Sequence, residues 1–245
     1  MRHAETSEFP SLALCLLATT LFVAALWWIK VVDNFFGWDL SPLGVYPHEL
    51  RGLIGVLTAP LIHGSFEHLF ANTAPLLMLG TTLLYGYPRS RWIVVAVVWV
   101  GAGLGAWFTG RESFHFGASG LTHGLMFYLF LAGVLRRDRL SIVLAMLTFF
   151  LYGGMVWGIF PNEPEISFES HFWGAVSGTV CALLLRKVDP KPAAEKRYSW
   201  EDEPADAEDP VIGDQWQIKR SPQRDEIEDS DEFPIAGDDT EGKWH

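Results

Sequence analysis

Two cysteines in 245 residues, Cys15 and Cys181, are too few for a disulfide framework, and neither has metal-ligand neighbours at the spacing a zinc site needs. Charge is scarce over most of the chain. Residues 1 to 188 hold only 11 acids and 11 bases, with no basic patch interleaved with aromatics, so nucleic acid is not a ligand to expect. No small-residue cleavage site follows the first apolar run, which is therefore read as a retained helix rather than a removed leader. Internal repeats are absent too.

What is present is apolar bulk: 49% of residues are hydrophobic, with 11 Trp and 17 Phe, a content ordinary for a bilayer protein. The formal charge of −11 sits entirely in residues 189 to 245, where 18 acids face 7 bases. That stretch, rich in proline and poor in apolar residues, is expected to be a disordered tail.

A hydrocarbon core about 30 Å thick needs about 20 apolar residues to cross it as a helix. Six such runs occur: Ser11 to Val32, Phe66 to Tyr85, Trp92 to Thr109, Phe116 to Leu135, Leu140 to Phe160 and Phe168 to Leu185. Each is expected to be helical, because unpaired backbone in lipid costs several kcal/mol per group, on the order of a lost hydrogen bond each. Arg89 and Arg91 follow the second run, Arg136, Arg137 and Arg139 the fourth, and Arg186 and Lys187 the sixth. Positive-inside orientation then predicts both termini in the cytoplasm. Between runs one and two, Leu50, Leu53, Ile54 and Leu57 have the spacing of a helix lying at the interface over Leu50 to Ile62.

Polar groups inside these runs are the candidates for chemistry. His68 and Asn72, Ser119, and His171 all fall near the outer end of an inward-running helix. Ser119 stands between Gly117 and Gly120 in FGASGLTHG, at a helix start whose free N–H groups and dipole suit a developing oxyanion. Alone, that pattern equally describes a serine packed between close helices. A serine hydroxyl needs a base, and His171 is the candidate. His171, Gly174 and Gly178 lie on one stripe, matched by Gly117, Gly120 and Gly124, so two helices can approach closely enough for His171 to reach Ser119. No Asp or Glu lies at that depth, and Glu169, two residues from His171, is on another face. A Ser-His dyad is expected. His68 and Asn72, one helical turn apart, can both donate to an anionic oxygen. Pro75 is expected to kink their helix, and His63, off their face, to shape the preceding loop.

Across roughly Leu50 to Leu185 these motifs resemble the rhomboid family of intramembrane serine proteases: HGSFEHLFAN from His63 to Asn72, GASG around Ser119, and HFWG from His171. The resemblance implies an all-α polytopic membrane protein, a six-transmembrane-helix rhomboid-like bundle at 11–188, after a short cytoplasmic N-terminus at 1–10 and before the acidic cytoplasmic tail at 189–245. It implies peptide-bond hydrolysis near the outer face, with Ser119 as nucleophile, His171 as base then acid, and His68, Asn72 and the Ser119 N–H as oxyanion donors. Partners would be the lipid bilayer and transmembrane protein substrates, usually single-span; neither cofactor nor metal is expected. The fifth run and the loop Pro161 to Ser167 would correspond to the moving gate. Two departures stand out. His123 occupies the place of a tyrosine that usually stacks on the catalytic histidine, and could rival His171 as base. The family's aromatic-Arg pair is replaced by Ile54 and Gly55, with Arg51 nearby. Other readings are a catalytically inactive, client-binding relative and a small-solute transporter.

Overall fold

The structure is a computed structural model that describes residues 9–161 and 166–191. These belong to one compact unit, Met1–Ala193; a second, Ala194–His245, holds most of the expected acidic tail and lies outside the described residues.

Among the described residues the chain is all helical, without a strand. The long helices are α1 (Leu12–Phe36), α3 (Phe66–Gly86), α4 (Arg91–Thr109), α5 (Ser119–Arg136), α6 (Arg139–Tyr152) and α7 (Phe168–Leu185), with a four-residue α2 (Gly55–Thr58) in the first loop. Their ends follow from local chemistry. Gly37, at φ 64° in the left-handed region, stops α1. The Ser65 hydroxyl accepts the His68 N–H and starts α3, and Asp138 does the same for Ser141 at α6. α3 runs through Pro75 without interruption.

Three expected elements differ. The fifth run, expected over Leu140 to Phe160, ends its α-helix at Tyr152, and Gly153–Ile159 continue it as a 3-10 helix. The fourth run does not begin its helix at Phe116: Gly117 takes φ 115°, which only glycine adopts freely, so Phe116–Ala118 lead in non-helically and Ser119 opens α5. The interface helix over Leu50 to Ile62 is broken into 3-10 turns at Leu50–Ile54 and Ala59–Leu61 around α2. Gly52 and Gly55 press so close to the backbone of Tyr46 and Val45 that a Cβ on either would sit 2.1 Å from it. The loop therefore folds back on Val45, which pairs with His115 just ahead of the site.

Apolar side chains cover the outside. Leu14, Leu21, Trp28, Trp92, Phe108 and Phe150 are all more than half exposed, the inverse of a water-soluble surface. Among the described residues four stretches are long and apolar enough to cross a membrane: Leu12–Phe36, Phe66–Gly86, Arg91–Thr109 and Arg139–Ile159. α5 and α7, which carry Ser119, His123 and His171, are more polar. α5 is the central helix, buried around most of its circumference. The glycine stripes do meet: a Cβ on Gly174 would lie 2.1 Å from Gly120 O, and one on Gly178 2.0 Å from Gly124 O.

The end of the bundle away from Ser119 is closed by a polar knot. Asp189, counted with the acidic tail by its sequence position, is buried and belongs to the folded body. Its carboxylate accepts from the Arg89 and Ser90 N–H groups and from the Ser90 hydroxyl, which also bonds Tyr128 Oη at 2.8 Å. Arg136, 6% exposed, donates to Asp138, Ser141 and the carbonyls of Asp189 and Pro190.

Candidate active site

A cavity of about 710 Å³ opens between α3, α5, α7 and the loop before α5, with His68, Asn72, Ser119, His123 and His171 in its wall. A second groove, between α4 and α7, is almost wholly apolar and offers no reacting group beyond Ser177 and Thr109.

His171 Nε2 lies 2.7 Å from Ser119 Oγ. Its other ring nitrogen, Nδ1, lies 2.8 Å from the carbonyl oxygen of Gly158. A carbonyl only accepts, so Nδ1 carries the proton of the neutral ring and Nε2 presents its lone pair to the serine. That is the tautomer a general base needs, set here by a backbone oxygen where many hydrolases use a carboxylate. Glu169 is occupied elsewhere: it is 4% exposed and takes the Arg111 Nε at 2.7 Å. Arg111 also donates to Ile166 O, at 2.7 Å, and so ties the start of α7 to the chain leading into Ser119.

His123 is not aimed at the serine hydroxyl. Its ring stacks on that of His171, centroids 3.9 Å apart and planes at 9°. Nδ1 faces Ser119 O at 2.7 Å and Nε2 faces Met155 O at 3.1 Å. The stacking place is kept; the rival base is not.

On α3, Asn72 donates from Nδ2 to His68 O at 3.0 Å, and His68 packs against Gly117, where a Cβ would meet its ring at 2.6 Å. Glycine is thus required at 117 both for its backbone angle and for room. His63 does more than shape the loop. Its Nε2 accepts the Ala118 N–H at 3.3 Å, while Gly117 N bonds Ala59 O. The two amides before Ser119 are therefore occupied, leaving the first-turn N–H groups of α5, which have no carbonyl one turn behind, for an incoming oxyanion. Accepting at Nε2 puts the His63 proton on Nδ1, which is buried with no partner among the described residues. Burial, then the neighbouring His68 and Lys30, push His63 down to about 3, so it stays neutral. Lys30 bonds Asp33 at 2.8 Å and Gly64 O at 3.1 Å, holding that loop to α1.

The sequence pattern brought Ser119, His171, His68 and Asn72 forward, and all four share this cavity. It missed the Gly158 carbonyl, whose part depends on a 3-10 turn far along the chain, and the bond from Ala118 to His63. No group of three His, Cys, Asp or Glu side chains suited to a metal ion occurs among the described residues.

Residues 50–188 match the model of the Rhomboid domain. An uncharacterized protein of Mycobacterium tuberculosis, Rv1337, is 38% identical over 186 residues, covering 72% of this chain and 77% of its own. An uncharacterized protein of Mycobacterium leprae, ML1171, is 35% identical over 185 residues, covering 71% and 73%.

Proposed function

The chain belongs to the rhomboid family, and from that premise we propose that it is an intramembrane serine endopeptidase working through a Ser119–His171 dyad. The observation that carries this reading is the 2.7 Å contact of a histidine held in the base tautomer with a serine at a helix start, inside a cavity.

Hydrolysis proceeds in two halves. His171 Nε2 takes the Ser119 hydroxyl proton as Oγ bonds to the peptide carbonyl carbon, and the carbonyl oxygen gains the negative charge. The Ser119 N–H and the His68 and Asn72 side chains face that oxygen; one such donor contributes about 10²-fold or more in rate. His171 then gives its proton to the departing amine, leaving an acyl-serine. Water, deprotonated by the same nitrogen, releases the acid and restores the hydroxyl. For Asn72 to help, its amide turns from His68 O toward the oxyanion.

All six long helices cross the bilayer in this reading. α5 and α7, at 18 residues each, are about 27 Å long, enough to span when the site end opens into a wet cavity. In this reading both termini lie in the cytoplasm of a bacterial cell and the cavity opens on the outer side of the cell membrane, an orientation the Arg-rich loops support. Substrates are then transmembrane proteins, single-span ones foremost, whose helix unwinds into the cavity. The test is co-expression with tagged single-span proteins beside Ser119→Ala and His171→Ala, with covalent labelling of Ser119 by a fluorophosphonate. Cleavage and labelling lost in Ser119→Ala support the proposal; an intact protein that neither labels nor cuts sinks it.

A further inference from the structure

We propose that the 3-10 segment Gly153–Ile159, continuous with α6, is a working part of this apparatus: docked against the site, it sets the tautomer of His171, and His123 is the positioning residue that docks it. The proposal rests on the reading of Ser119 and His171 as nucleophile and base.

A 3-10 helix repeats every three residues, so carbonyls three apart point from one face. Met155 and Gly158 are such a pair. Gly158 O receives His171 Nδ1, and Met155 O faces His123 Nε2. Two stacked imidazoles thus meet two stacked carbonyls. His123 Nδ1 also lies 2.7 Å from Ser119 O; a neutral ring has one N–H and donates to only one of these two carbonyls, so His123 docks the segment with that proton on Nε2. The neighbours are fitted to this. A Cβ on Gly158 would lie 2.7 Å from His123 Nε2 and 3.2 Å from His171 Nδ1, so glycine is what lets the main chain at 158 lie against both rings.

Apart from Met155, which packs partly buried against the core, little else buries the segment. The buried residues of α6 are Ser141, Leu144, Ala145 and Thr148, and none of Gly153–Ile159 is buried. Elements with few buried contacts open at low free energy. When the segment leaves, His171 loses the acceptor that keeps its proton on Nδ1. The proton can then sit on Nε2, facing Oγ, where the ring cannot accept from serine. Docking therefore turns the base on. It makes hydrolysis conditional on the closed position of the very segment that flanks the cavity.

The full-length protein, labelled with ¹⁵N-histidine in detergent, reports the tautomer directly, since protonated and unprotonated ring nitrogens resonate far apart. Wild type is expected to show His171 protonated at Nδ1. Gly158→Ala is expected to populate the Nε2-protonated ring. His123→Phe, which keeps a stacking face but loses the carbonyl contacts, covers the case in which Gly158→Ala fails to fold. It is expected to lower kcat by at least about tenfold with KM changed less than about twofold, and to shift the tautomer the same way. A wild-type His171 protonated at Nε2, or variants with unchanged tautomer and kcat, would overturn the proposal. The tautomer is read without turnover, so a protein whose Ser119 never labels refutes the protease reading separately from this one.

Discussion

The two ends of the bundle solve opposite problems with buried polar groups. At the far end, Arg136, Asp189, Ser90 and Tyr128 satisfy one another. At the site end, imidazoles are bonded singly to backbone carbonyls, one on each side, around an open cavity. Charge is mutual at the first; at the second, the ion pairs Arg111–Glu169 and Lys30–Asp33 stand outside the cavity wall that holds Ser119. The far end can therefore resist change, whereas the site end keeps a lone pair and several N–H groups unspent for a reacting molecule. Stability and chemistry are separated along the same helices.

Four substitutions test that division. Ser119→Ala should abolish cleavage, by at least about 10³-fold, while the melting temperature in detergent stays at the wild-type value; a matching loss of stability would show that the serine is structural. Arg136→Ala should do the reverse. Stripping the buried guanidinium from Asp138 and from the Asp189 and Pro190 carbonyls is expected to cost about 3–5 kcal/mol, read by denaturant titration, with activity per folded molecule retained. A selective loss of kcat would break the comparison.

His63→Asn tests the site end through pH. His63 is neutral when folded down to about 3, against an ordinary value of 6.5. The unfolded chain therefore binds the extra proton below 6.5. Its contribution is whole above pH 6.5 and falls by about 1.4 kcal/mol per pH unit below it. The variant should lose that part of the acid slope in its stability curve. An unchanged slope would mean that His63 is protonated in the fold. Tyr128→Phe should be mildest, at about 1 kcal/mol for one buried hydrogen bond to Ser90, with no effect on kcat.

The sequence made some of this legible and left some hidden. The runs at Phe66, Trp92 and Phe168 became α3, α4 and α7 almost residue for residue, because an apolar stretch bounded by loops has few alternatives to a helix in lipid. Ser119 and His171 stood out because polar groups there are costly, and the glycine stripes told which helices approach. Hidden were features written in backbone geometry: the turn at Gly117, the broken first loop, and the carbonyls of Met155 and Gly158. A carbonyl has no letter of its own. Asp189 was misassigned for a related reason, since a charge count along the chain does not know that one of those acids folds back beneath Ser90.

Where Gly174 meets Gly120 and Gly178 meets Gly124, the contact is main chain against main chain. Most packed surfaces tolerate drift, because one side chain shrinks as its neighbour grows. Here neither partner has anything to trade, and even a methyl group at 174 or 178 would overlap a carbonyl oxygen. Variation among descendants of this chain must therefore accumulate on the cavity wall and the α6 side, while these two crossings stay fixed.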